Sequence, residues 1–398
     1  MQAGKFIPAS DISPICLDGM YPCYGGNGIR GFVDHYSVEG DYPIIGRQGA
    51  LCGNVNMTHG KFYATEHAVV VTPMLNIDLN WLYYTLIGLN LNQYSAGAAQ
   101  PGLAVSNLLK VRLLLPPLNE QKRIANAINE ALSIIQTVDK YKQDLALIIQ
   151  SVKSKILELA IRGKLVPQDP NDEPAYVLLE RIRAEKEELI KQGKIKRDKK
   201  ESIIFKGDDN SYYDDLPSNW SVSSLAEITT PLILNDGDWI LSNNMVPFGE
   251  IKLIQLGSVG FLNYIDKGFK YLTPEMFEKL NCTEIQSGYM LINRIVSDKM
   301  CACILPQIEG KKITTVDTCW IAPHSEWYNI KYILYAISSP LYQSLVMFYS
   351  SGTTRKRISK SNLINLPLLI PPLAEQERIV NAVEALFAHL DKIAESLS

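Results

Sequence analysis

Residues 106–128 and 361–383 carry nearly the same text, 255 positions apart. The first reads SNLLKVRLLLPPLNEQKRIANAI and the second SNLINLPLLIPPLAEQERIVNAV, with 14 of 23 positions identical and no gap. Tyr94, Ser95 and Gly97 fall on Tyr349, Ser350 and Gly352 at the same offset. Solenoid units are far shorter, roughly 20–50 residues. The chain is therefore read as two copies of one large module, each ending in the same joint of strand, Pro-Pro and helix. The prolines stop the strand. The Glu-Gln pair that follows suits a helix N-terminus, where a carboxylate complements the dipole.

Both copies continue as helices. From Ile124, every fourth and third residue in alternation gives Ile124, Ile128, Ala131, Ile135, Val138, Lys142, Leu145, Ile149, Val152, Ile156 and Leu159. All but Lys142 are apolar, at the 3.5-residue period of a coiled-coil seam. Ile379, Val383, Leu386, Leu390, Ile393 and Leu397 repeat that register 255 residues on. The shared register predicts that the two helices pack on one another, with Lys142 opposite Leu397 in the alignment as a polar break. One amphipathic helix on an ordinary core would give the same pattern over a shorter stretch.

The 398-residue length suits two or three domains, and 46% apolar residues allow proper cores. The module boundaries are read as 1–118 and 216–373. Between them, 119–215 holds the long helix, a proline-punctuated turn at 163–174, a charged helix at 175–192 and a linker. The second helix follows at 374–398. The first module reads as strands and turns, with apolar runs at 43–46 and 67–72 and a helical stretch at 77–95. No apolar run approaches a membrane span, and no signal peptide is visible. Seven scattered cysteines make no metal pattern and suit buried thiols in a reducing cytoplasm. The net charge of −3 does not advertise nucleic-acid binding. Any DNA contact must come from local patches, or be shared with a partner.

Nothing assembles an active site. GNGIRG at 26–31 fits a dinucleotide-binding loop literally, but Phe-Val-Asp-His-Tyr follows, which is no helix start. A glycine turn that brings backbone close to a ligand is the better reading, with Asn27 and Arg30 supplying polar contacts. Two other loops stand out. GTTRKR at 352–357 places Thr353, Thr354, Arg355, Lys356 and Arg357 after a glycine. Its counterpart is GAAQPG at 97–102, with Gln100 at the position of Arg355. The same place with different chemistry is what two readers of different sequences need. Arg suits guanine and Gln suits adenine as bidentate partners, while a solvated turn is the plainer alternative. Arg47 in IIGRQGALCGNV and Arg294 in MLINRIVSDKM punctuate apolar runs. Each is either a contact residue or half of a buried structural pair.

At this point the chain resembles the specificity subunit of a type I restriction-modification enzyme. The resemblance rests on YPCYGGNGIRGF (21–32), IIGRQGALCGNV (44–55), the two PPL-x-EQ-x-RI segments, AIRGKLVPQDPNDEPAYVLLERIRAEKEELI (160–190) and LPSNW (216–220). It implies an α+β architecture: two similar α/β target-recognition domains separated by a pair of long antiparallel coiled-coil helices. It implies that each domain reads one half of a split sequence in double-stranded DNA, with the helices as a ruler. It also implies that this chain is not itself an enzyme. Two modification (methyltransferase) subunits and the restriction subunits would carry the chemistry, using S-adenosylmethionine, ATP and magnesium. This chain would hold no cofactor or metal and stay in the cytoplasm.

Two features depart from an even repeat. By the 255 offset, the counterpart of Leu216–Trp220 would lie about 39 residues before Met1. The first domain is therefore expected to be N-terminally short. The second helix reaches the last residue after about 25 positions, against about 40 for the first. An inactive truncated specificity subunit is one alternative, and a coiled-coil scaffold that binds no DNA is another. Against the scaffold, a homomeric role gives no reason for two modules to diverge outside their shared joint.

Overall fold

The computed structural model describes residues 1–49, 51–97, 101–196 and 216–396. Gln100, Leu397 and the 197–215 part of the linker lie outside the described residues. The chain divides into two compact units, Met1–Tyr141 and Lys142–Ser398. The region 119–215 thus does not stand apart. Its part from Lys142 onward belongs to the second unit, because Ile156, Leu157, Ala160, Ile161, Ala175, Leu178 and Ile182 are buried in the same core as Trp220, Leu225 and Ile379.

The described residues of the first unit form two four-stranded sheets. One runs in the order Gln2–Ala3, Ala68–Val70, Tyr42–Gly46, Val55–Thr58, antiparallel throughout. The other runs Gly28–Val33, Tyr21–Gly25, Lys61–Ala64, Val38–Glu39, with Tyr21–Gly25 and Lys61–Ala64 parallel. The run Pro43–Gly46 is buried at every position. An unbroken apolar run of this kind marks a strand covered on both faces. Ile45, Val69, Trp81, Leu82 and Leu86 make the core between the first sheet and the helix Leu79–Gly88.

The second unit repeats this plan. Leu234–Asp236, Thr318–Ile321, Met290–Asn293 and Ala302–Ile304 form a sheet in the same relative order. Phe269–Leu272, Ile251–Ile254 and Lys312–Thr314 form the other, again with one parallel pair. Matching backbone bonds fix the correspondence of the first strands. Gly4 donates to the Ala68 carbonyl at 3.0 Å, and Gly237 donates to the Thr318 carbonyl at 2.9 Å.

One side chain makes the same bonds in both copies of the repeated joint. Gln121 Oε1 accepts from the Asp78 amide at 2.9 Å, and its Nε2 donates to the Pro116 carbonyl at 2.8 Å. Gln376 Oε1 accepts from the Asn329 amide at 2.8 Å, and its Nε2 donates to the Pro371 carbonyl at 3.1 Å. Asp78 and Asn329 are the N-caps of the helices Leu79–Gly88 and Ile330–Ser338. Each glutamine, buried, therefore ties the start of the long helix to the cap of an earlier one. The amide supplies both the acceptor and the donor that this needs.

The strand before Pro-Pro is realised in one copy. Pro367–Ile370 pairs antiparallel with Ser221–Ser224, in the register Leu369 to Val222. In the first unit Val111–Leu115 forms no strand. The reason is a missing partner: the described residues of the first unit hold no counterpart of Ser221–Ser224. The neighbouring glutamate differs in the same way. Glu375 is buried and accepts from Trp220 Nε1 at 3.0 Å and from Gln168 Nε2 at 2.6 Å, whereas its counterpart Glu120 is exposed.

The helices Leu118–Ile161 and Leu373–Glu395 realise part of the expected seam. Ile149, Ile156, Ile379 and Val383 are buried, and Leu145, Leu159 and Leu390 are half-buried. Lys153 lies 5.1 Å from the Phe387 ring centre and pairs with Asp391. Ile128 is half-buried, while Ile124, Ile135, Val138 and Val152 are exposed. In the second helix Leu386 and Ile393 are also exposed, and Phe387 takes the inward place expected of Leu386. A straight helix turns about 20° per heptad away from a strict 3.5-residue repeat, which rotates the inward face from Ile379 and Val383 toward Phe387 and Leu390.

Replacing Trp220 by Phe removes the indole donor and leaves a buried Glu375 oxygen short of a partner. We expect a loss of about 1–3 kcal/mol from the second unit, read by urea denaturation. Burial holds the Glu375 carboxyl above its ordinary value of 4.5, outweighing the hydrogen bonds from Gln168 and Trp220 and the charge of Arg378. Between those two values the folded chain binds a proton that the unfolded chain does not. The second unit should therefore gain stability as the pH falls through that window, and Glu375→Gln should flatten the gain.

Candidate nucleic-acid interface

In each unit the residue that leaves the central strand is held between two loops by its own backbone. Arg47 follows Tyr42–Gly46. Its amide donates to the His67 carbonyl at 2.9 Å, and its carbonyl accepts from Leu103 at 2.8 Å. Arg294 follows Met290–Asn293. Its amide donates to the Asp317 carbonyl at 2.8 Å, and its carbonyl accepts from Ile358 at 3.0 Å. The two arginines thus occupy one place in the plan. The loops are equivalent too. Ala96 and Gly102 close the first by mutual backbone bonds of 2.9 Å, and Ser351 and Arg357 close the second at 3.0 and 2.8 Å. Gly97 and Gly352 both take the left-handed backbone region, φ 101° and 117°. At Gly352 an added Cβ would meet the Arg355 carbonyl at 2.4 Å, so glycine is required there.

The first unit builds a hollow of about 480 Å³ beside Arg47, lined by Gly25, Gly26, Asn27, Arg30, Gln48, Gly49, Leu51 and His67. Asn27, in the turn between Tyr21–Gly25 and Gly28–Val33, and Arg30, in the second of these strands, are both exposed. The GNGIRG segment is therefore a hairpin. Its close backbone approach is to the protein itself, since a Cβ on Gly46 would fall 1.7 Å from the Gly26 carbonyl oxygen. Asn27 Oδ1 accepts from Asn54 Nδ2 at 2.8 Å, which orients the amide. His67 Nε2 lies 3.1 Å from Glu66 Oε1. Nδ1 of His67, Nδ2 of Asn56 and Nε of half-buried Arg47 are buried without a protein partner. Such atoms are costly unless something else bonds to them.

Sequence reasoning found Asn27, Arg30 and Arg47 here but not Gln48 or His67. Gln48 stands next to Arg47 in IIGRQG, and His67 stands just before the buried run Ala68–Val71; both were legible as strand-end polar residues. Gln100 lies outside the described residues.

The second unit separates the candidates. Thr353, Thr354, Arg355 and Lys356 are exposed at the loop tip, near an exposed Phe348 in sequence. Arg294 is 4% exposed. Its Nε lies 3.2 Å from Asp236 Oδ1, and its Nη2 donates to the Val316 carbonyl. Asp236 in turn accepts from Cys319 Sγ at 2.8 Å. Arg294 is thus a structural pair and not a surface contact, because a buried guanidinium must be paired and no face of it reaches solvent. Arg357 is intermediate. It pairs in register with Ile295, and its Nη2 lies 3.0 Å from Asp317 Oδ1, with a half-exposed side chain. Among the described residues, Arg355 and Lys356 are the exposed cations of this loop that make no ion pair.

The family model for the type I restriction modification DNA specificity domain matches residues 2–145 and 217–397. The chain belongs to that family. Its relatives include two proteins of Escherichia coli. One is the type I restriction enzyme EcoprrI specificity subunit, 48% identical over 131 residues, or 33% of each chain. The other is the EcoEI specificity subunit, 33% identical over 258 residues, 62% of this chain and 40% of that one. The chain thus spans a third to two fifths of the length of these curated relatives. A solved structure described as the basis of complex assembly and conformational transition of the type I R-M system shares the fold. That comparison has a TM-score of 0.57 and 14% identity, covering all of this chain and 90% of the other. The two stretches of the family match follow the duplication seen in the sheets, and the α+β class and the resemblance read from the sequence agree with it.

Two substitutions separate the roles of these arginines. Arg294→Met should destabilise the second unit by about 3 kcal/mol, the low end for a broken buried pair, since Asp236 keeps some access to water. Arg355→Ala should leave stability within about 0.5 kcal/mol, as an exposed loop residue does. Thermal and urea unfolding of both variants would check this.

Proposed function

We propose that the chain is the DNA-recognition subunit of a type I restriction-modification complex, each unit reading one part of a bipartite double-stranded target. The observation that carries this is the pair of equivalent closed loops with unlike chemistry. Residues 352–357 bring Thr353, Thr354, Arg355 and Lys356 to the tip in the second unit. Residues 97–102 offer no cation at the same place, where the first unit instead sets Asn27, Arg30 and Gln48 around a polar hollow. Divergent side chains on a common frame suit two readers of different base sequences. Arg355 is suited to guanine O6 and N7 in the major groove, and Gln48 and Asn27 to adenine.

On this reading the chain itself holds no cofactor and catalyses nothing. Two modification subunits and the restriction subunits bring S-adenosylmethionine, ATP and magnesium. They also supply much of the phosphate contact that a chain of net charge −3 lacks. The helix Leu118–Ile161 serves as the spacer of the target, so its length sets the number of base pairs between the two recognised parts.

The experiment is methylome sequencing of cells carrying this gene with and without a modification subunit gene. A split methylated-adenine motif that needs both genes is the expected result. Absence of any motif, with the two proteins co-purifying, would refute recognition. Alanine at Arg355 and Lys356 should weaken one half of that motif by roughly 1–3 kcal/mol per lost base contact and spare the other. Equal weakening on unrelated DNA would reduce both residues to phosphate contacts. A seven-residue insertion after Val138 should lengthen the spacer of the motif, and an unchanged spacer would sink that part of the reading.

A further inference from the structure

An exposed aromatic ring follows the first strand of each sheet pair. Phe6 is 72% exposed and Trp239 is 69% exposed. The two occupy one place in the plan. The amides of Lys5 and Asp238, just before them, donate at 2.9 Å to the Ala64 and Thr314 carbonyls. Ile7 and Ile240, just after them, are buried, the first with Cys23 and Val33 and the second with Leu253 and Leu272. A single 3-10 turn comes next in both, Ala9–Asp11 and Ser242–Asn244, and then the antiparallel bridges Ser13 to Phe32 and Val246 to Tyr271. The offset here is 233 residues and not the 255 of the joint, so alignment of the chain with itself at one offset does not show it. A lone exposed ring needs no explanation. A ring held outward at the same place in two units of diverged sequence does, because its apolar face is unfavourably placed in water.

Both rings follow residues bonded to the candidate nucleic-acid interface. In the second unit the Asp238 carbonyl accepts from Val316 at 2.9 Å, and the next residue, Asp317, pairs with Arg357 of the 352–357 loop. In the first unit Gly4 and Lys5 donate to the Ala68 and Ala64 carbonyls, on either side of His67, which lines the polar hollow. Asp238, the acid beside Trp239, has its carboxylate turned to the Thr283 amide at 2.8 Å. We propose that Phe6 and Trp239 are a DNA contact common to the two units, each ring packing against the sugar at the flank of the bases that its own unit reads. The loops differ because the two half-sequences differ. The rings are alike because the deoxyribose is the same in every sequence, and contacts to it position a protein without carrying sequence information. The proposal rests on the DNA-reading role and adds to it two residues outside the reading loops.

The test uses the full chain in complex with a modification subunit, and a radiolabelled DNA duplex of arbitrary sequence. The photoreactive residue p-benzoylphenylalanine, placed at position 6 or 239, bonds on irradiation to any C–H within its reach. The expected result is transfer of labelled DNA to this chain from both positions, and none from the same residue at fully exposed Met74. Gel shift of the same samples shows whether the duplex is bound. Bound duplex without transfer would overturn the proposal. Transfer to the modification subunit in place of DNA would overturn it too, making the rings a protein contact, and equal transfer from Met74 would show unspecific collision. No gel shift at all would instead sink the DNA-reading role, and the proposal with it. Phe6→Ala and Trp239→Ala fold normally because neither ring is buried. Each should weaken binding about tenfold, on duplexes with and without the methylated motif alike. Unchanged affinity, or a loss confined to duplexes that carry the motif, would overturn a contact that ignores sequence.

Discussion

A buried glutamine amide is the constraint on which each unit turns. Gln121 and Gln376 each bridge a Pro-Pro carbonyl to the capping residue of an earlier helix, Asp78 or Asn329. The amide has both a donor and an acceptor, so one side chain satisfies two backbone groups that would otherwise be buried unpaired. It also sets where the long helix begins relative to the sheet. Glutamate or leucine at that position satisfies at most one of the two groups. This accounts for a glutamine at this position in both copies of the joint.

The glutamate next to it takes two different fates. Glu375 is enclosed by Trp220 and Gln168, and Arg378 beside it pairs with Asp172. These contacts gather three distant stretches of chain, 168–172, Trp220 and 375–378, and help to fold the segment from Lys142 onward with the second unit. Glu120 has the same sequence context, yet it stands in solvent. Among the described residues no counterpart of Trp220 covers Glu120, and Leu114 and Ile124 are exposed as well.

The loop ends of the sheets separate buried, structural polar groups from exposed ones. Backbone bonds hold Arg47 and Arg294 in matching places, but the side chain of Arg294 is spent on Asp236 and the Val316 carbonyl. The exposed groups lie beyond that frame, at Arg355 and Lys356 in one unit and at Asn27, Arg30 and Gln48 in the other. A common scaffold with independent tips lets the tips vary without disturbing the core, because exposed loop residues touch little else.

The sequence by itself determined the duplication, the two helices, the apolar strands at 43–46 and 67–72 and the equivalence of the loops at 97–102 and 352–357. Each of these is a local pattern or an alignment of the chain with itself, and neither needs a third dimension. It could not determine which half of an apolar heptad meets a partner, since period 3.5 is the same whether a face is covered or bare. Burial of Ile149 and exposure of Ile135 were decided by the neighbours that each has in space. It could not separate a buried arginine from a surface one, because Arg294 and Arg355 differ in their neighbours in space and not in their neighbours in sequence. Nor could it foresee that LLLPP would form no strand while LLIPP does. A strand exists by pairing with another backbone, and that partner, Ser221–Ser224, lies about 145 residues away in one copy and has no counterpart among the described residues of the other.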